Sequence, residues 1–143
     1  MFLEKKSLIT IGLLFSILLI ATESKSQIIP DNSLPNNSNV VRNGNIFKIE
    51  EGTIRGNNLF HSFSQFSIPL ELEASFQNGI NIKNIFTRIT SNSASNINGL
   101  ISANGSANLF LINPNGIIFG ENAQLNIGGS FLATTANAIE FND

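Results

Sequence analysis

The sequence predicts an all-β fold in which short strands stack into a solenoid, preceded by a short signal-peptide helix. Three observations carry this. Beyond residue 45 the apolar runs are short, mostly four to seven residues, and rich in Ile, Phe and Thr. Strands are that length, and globular helices are longer. Five Asn-Gly pairs, at 43–44, 78–79, 98–99, 104–105 and 115–116, separate the runs. Each favours a tight turn, because both residues tolerate positive φ. The composition is also skewed to 22 Asn and 12 Phe, with no Cys, Trp or Tyr, in 143 residues. Stacked coils repeat at the strand spacing of about 4.8 Å, where Asn side chains at successive corners can bond to one another.

The elements follow in order. Lys5 and Lys6 precede the apolar run "LITIGLLFSILLIA", Leu8 to Ala21, and then "TESKS". That is the order of a secretory signal, with cleavage expected before Gln27. The run is 14 residues, short of the roughly 20 that a spanning helix needs. Residues 27–45 hold Pro30 and Pro35 and read as an irregular leading segment with one short strand at Val40-Val41. Strand-like runs follow at 45–49, 53–63, 80–90, 98–102, 108–112, 116–120, 125–129 and 130–136, and one helical turn is possible within 68–79. "GLISANGSANLFL" from Gly99 and "GIIFGENAQLNI" from Gly116 read as loose copies at an offset of 17. At about 20 residues a coil, the chain after Asn45 makes some five coils. A hairpin-built sandwich would also give short strands and Asn-Gly turns. Phe47, Phe60, Phe63, Phe66, Phe86, Phe110, Phe119 and Phe131 read as core, with stacked coils aligning the rings.

Charge and motifs exclude more than they assign. Residues 27–143 carry five basic and eight acidic residues, so nothing points to nucleic acid. The missing cysteines exclude a disulfide framework and a thiolate metal site. His61 is the only histidine and has no second ligand in the sequence, so it reads as structural. Glu71 and Glu73 share a strand face but lack a third ligand and read as solvated. Glu50-Glu51 before Gly52 reads as a charged turn, and "GGSFLATT" lacks the lysine of a phosphate loop. No catalytic residue, cofactor or metal is expected.

"NLFLINPNGIIFG", Asn108 to Gly120, holds the densest turn chemistry. Asn113, Pro114, Asn115 and Gly116 fit positions i to i+3 of a type I turn between strands 109–112 and 117–119. The segment 107–139 around it resembles the core of the two-partner secretion domain of filamentous haemagglutinin-like exoproteins. "GTIRGNNLFHSFSQFSI", 52–68, resembles the upstream block of that family through Arg55, Gly56, Asn58, Leu59, Phe60, His61, Ser62 and Phe63. The resemblance implies a right-handed parallel β-helix with an N-terminal cap over 27–143. It implies a secretion-targeting domain received by the periplasmic POTRA domains of a dedicated outer-membrane transporter. The asparagine-proline-asparagine turn is then the secretion signature, acting by contact or by holding the fold. Export through the periplasm and outer membrane of a Gram-negative-type bacterium, to the cell surface or beyond, follows from the same resemblance. Members are far longer, so the chain is expected to be a truncated or split product. Host-cell or matrix glycans are expected partners only through a missing passenger, and a surface adhesin or carbohydrate-binding solenoid is the alternative reading.

Overall fold

The computed structural model describes residues 28–140. The signal segment and the proposed cleavage point lie outside the described residues, as do the last three positions.

Thirteen strands make up the described chain: β1 (Ile28–Pro30), β2 (Ser38–Asn43), β3 (Ile46–Glu51), β4 (Thr53–Arg55), β5 (Asn58–Phe66), β6 (Glu73–Phe76), β7 (Asn84–Ile89), β8 (Ser95–Ile97), β9 (Leu100–Ala103), β10 (Asn108–Ile112), β11 (Ile117–Phe119), β12 (Gln124–Asn126) and β13 (Phe131–Thr134). Three parallel stacks result. β3, β6, β9 and β12 form one, β5, β7, β10 and β13 the second, and β8 with β11 the third. Ile68 extends the third stack by a parallel bridge to Ile97. The chain visits the stacks in turn, which makes a β-solenoid of about four coils and no helix among the described residues.

Alternation along each strand sends every second side chain inward. Leu59, Ile85, Leu109 and Phe131 form one inner row, and Phe47, Ala74 and Ile101 another, which Leu125 continues in register while staying exposed. The rows close on a core with Ile49, Phe63, Phe66, Phe76 and Ile97, all buried. The leading edge is covered by antiparallel strands: β2 on β3, and β1 and β4 on β5. This is the expected N-terminal cap.

Four expectations are corrected. The runs at Gly99 and Gly116 are not successive copies. They are β9 and β11, two strands of one coil in different stacks. A three-sided coil contains two aliphatic strands led by glycine, so similarity within a coil imitates similarity between coils. The true spacing is wider: Ile46 lies beside Glu73, 27 residues on, and Ser95 beside Ile117, 22 residues on. Fewer coils therefore fit. Second, no helical turn forms at 68–79; Leu72 N–H donates to Pro69 C=O, Glu71 takes φ 66°, and the chain enters β6. Third, the strand at Val40-Val41 extends to six residues, because hairpin pairing with β3 carries it from Ser38 to Asn43. Fourth, not every phenylalanine is core. Phe60, Phe86 and Phe110 stack ring on ring at 5.2 and 4.7 Å on the face opposite the inner rows; Phe86 is buried as expected, but Phe60 and Phe110 stay half-buried. Phe119, on the last strand of its stack, stays 44% exposed.

Candidate functional site: the NPNG corner and the NLFHSF strand

The NPNG turn joins β10 to β11. Gly116 N–H donates to Asn113 C=O at 3.1 Å, closing the four-residue turn, and Gly116 takes φ 113°. Pro114 and Asn115 stand exposed on the surface, whereas Asn113 is completely buried. Its side-chain amide donates to Ser93 C=O and to Ser95 Oγ, each at 3.0 Å, one coil earlier. Its Oδ1 accepts from the Asn115 N–H at 3.0 Å. Asn115 Nδ2 in turn donates to Ser91 C=O at 2.6 Å. The corner is a latch between consecutive coils. Aspartate would replace the donor with a third acceptor, and alanine would leave buried groups unpaired.

The NLFHSF block is β5, with "RGNN" as the hairpin that leads into it. Arg55 pairs with Asn58 across the two-residue loop Gly56-Asn57, and Gly56 takes φ 59°. Positive φ at the first central position suits a type II′ turn, which favours glycine there. Arg55 is exposed, and its guanidinium donates to the neighbouring Ile54 C=O. Asn58 starts an amide column: Asn84 Nδ2 donates to Asn58 Oδ1, Asn108 Nδ2 to Asn84 Oδ1, each at 2.9 Å, and Ser130 N–H to Asn108 Oδ1. Phe60 starts the outer ring stack, and Leu59 and Phe63 sit in the core.

His61 is 2% exposed and packs against Phe63 and Phe76. Its Nδ1 lies 2.8 Å from Ser38 Oγ of the cap, and its Nε2 has no partner among the described residues. Burial holds the imidazole down at about 4, so it is neutral at ordinary pH. Gly52 passes so close that a Cβ there would fall 2.7 Å from Phe60 C=O and 3.0 Å from the His61 ring. Its φ of 89° is also glycine territory.

Ser62 faces the other way, into a polar clasp that sequence reading missed. Ser62 Oγ donates to Asp31 Oδ2, and Arg88 Nε donates to Ser62 Oγ. Thr90 Oγ1 donates to Asp31 Oδ2 at 2.6 Å and Ser33 Oγ to Asp31 Oδ1 at 2.6 Å. Partial burial opposes ionisation of Asp31, but these bonds outweigh it and bring the carboxyl down to about 2. The one signal in the sequence was an Asp-x-Ser cap in the leading segment. Its partners lie 29 to 59 residues away, beyond local reading.

The two blocks do not form one pocket. β7 lies between β5 and β10. Glu71 and Glu73 stand apart from any metal-binding set, since no group of three or more His, Cys, Asp or Glu assembles among the described residues. Glu73 Oε1 instead accepts from Ser102 Oγ across one coil.

A family model for the TPS secretion domain matches residues 26–143. The chain belongs to the two-partner secretion domain family. It is 31% identical over 116 residues to the heme/hemopexin-binding protein of Haemophilus influenzae, covering 80% of this chain and 12% of that protein. The chain is thus an N-terminal secretion-targeting domain of a two-partner secretion exoprotein. Membership implies interaction with an outer-membrane transporter of the two-partner type.

Proposed function

We propose that residues 27–143 form the module by which this exoprotein engages the periplasmic POTRA domains of its transporter, and that the NPNG corner divides that task between its residues. The carrying observation is the complete burial of Asn113 beside the exposed Pro114 and Asn115. In the folded domain Asn113 serves the latch, and only Pro114 and Asn115 offer side chains to a partner. Contact by Asn113 belongs to a chain that has not yet closed its third coil. The reading is non-enzymatic, and the burial of the only histidine, with its Nδ1 against Ser38 Oγ of the cap, supports it.

The test is binding of the domain to isolated POTRA domains, with circular dichroism on every variant. Asn113→Ala is expected to lose β structure and binding together. Pro114→Ala with Asn115→Ala is expected to keep the fold and weaken binding by at least about tenfold, as for a small exposed contact patch. Full binding by a folded double variant would remove the turn from the recognition surface. Absence of binding by the folded parent would remove the POTRA reading itself.

A further inference from the structure

Asparagine followed by glycine is the least stable peptide arrangement asparagine makes. The glycine nitrogen, unshielded by any Cβ, attacks the side-chain carbonyl carbon of asparagine. A C–N bond forms, the side-chain nitrogen departs as ammonia, and a five-membered succinimide remains. Water then opens one ring carbonyl, leaving aspartate or isoaspartate. Only water is consumed. The side chain must be free to turn, and the glycine nitrogen must be free to meet it.

Four of the five pairs lack that freedom. Asn78 is buried, donates to Asn104 C=O at 3.0 Å and accepts from Asn104 N–H at 2.9 Å. Asn104 donates back to Asn78 C=O at 3.2 Å. Asn98 accepts from Asn122 N–H and lies so tight on Gly120 that a Cβ there would fall 2.3 Å from its Oδ1. Asn115 is tied to Ser91, and its attacking nitrogen, that of Gly116, is itself bonded to Asn113 C=O. Every one of these ties except the last runs between coils.

Asn43 differs. It is exposed, its side chain makes no hydrogen bond among the described residues, and Gly44 has open space around it at φ 60°. It closes the two-residue loop of the β2–β3 hairpin, at the free end of an edge strand. Opening the terminal pair, Asn43 with Ile46, is enough to release it, and strand ends open at low cost. We propose that Asn43–Gly44 is the self-modification site of the folded domain, converting to aspartate and isoaspartate, while closure of the coils protects the other four asparagines. Isoaspartate adds a carbon to the main chain of a loop whose register leaves no slack. Both products add a negative charge next to Arg42.

The test is peptide mass mapping of the purified chain after incubation in mildly alkaline buffer at growth temperature, with and without denaturant. In buffer, Asn43 is expected to convert at least about tenfold faster than any other Asn-Gly pair, the four being held by bonds that must open first. In denaturant the five are expected to converge. Asn43→Gln is expected to suppress conversion of the folded chain without altering the other four sites. Comparable conversion at all five sites in buffer, or a clamped site converting first, overturns the proposal. So does undiminished isoaspartate in the Asn43→Gln chain.

Discussion

Asn113 shows how much one buried amide can hold. Its side chain donates two bonds and accepts one close bond from Asn115 N–H and a longer one, at 3.5 Å, from Asn115 Nδ2, with no exposure to water. Asn113→Ala is expected to cost about 3 kcal/mol in denaturant unfolding, roughly one per close bond lost, whereas exposed Asn115→Ala costs about 1 kcal/mol or less. Thr87 gives the opposite case. Its Oγ1 is buried and has no hydrogen-bond partner among the described residues, and it lies beside His61 on the neighbouring strand. Thr87→Val keeps the shape and removes the unpaired hydroxyl, so unfolding midpoints are expected to hold or rise, by about 1 kcal/mol at most. His61 and Asp31 set the acid response in two separate windows. The His61 imidazole is depressed to about 4 by burial, so the unfolded chain takes up its proton first. Stability is full above the ordinary histidine range and falls as pH drops from about 6.5 to 4, by on the order of 3 kcal/mol. The Asp31 carboxyl is lowered to about 2, so its contribution is complete above about 4 and fades as pH falls toward 2. Unfolding free energy measured against pH is expected to show both steps, and His61→Gln to erase only the upper one.

At the scale of the element, two columns run along the solenoid beside each other on the β5–β7–β10 sheet. One is amide on amide and the other ring on ring. A middle member has two neighbours and an end member one. Asn84→Ala is therefore expected to destabilise by about 1–2 kcal/mol and to exceed Asn58→Ala, each broken bond counting about 1. Phe86→Ala is expected to cost about 3–4 kcal/mol, since that ring is buried between two others. The asparagine excess and the run lengths made stacking legible in the sequence, because both express a local preference repeated many times. The NPNG turn was legible for the same reason, as four adjacent residues fix it. The coil length was not legible, because each side of a three-sided coil starts with similar residues. The Asp31 clasp and the depth of Asn113 were not legible either. Both depend on residues brought together by closure of the coils, from 18 to 59 positions apart.

At the scale of the whole molecule, burial is graded along the axis. The fully buried side chains all lie between Ile49 and Asn113, whereas β12 is exposed throughout, β11 is mostly exposed and β13 is mostly half-buried. In a solenoid each coil leans only on its neighbours. Amide exchange is expected to be fastest in 117–134 and slowest in β5 and β7; uniform protection would indicate a single cooperative unit. The amide column adds a sense of direction to this gradient. Asn108 gives its proton to Asn84 and Asn84 to Asn58, so all three dipoles point toward the cap. The arrow means that a coil already in place holds out an oriented lone pair to its successor. Turning the middle amide over would set oxygen against oxygen on one side and N–H against N–H on the other. The column is a polar thread whose amides all point one way, so that the orientation of each side chain is fixed by that of its neighbour.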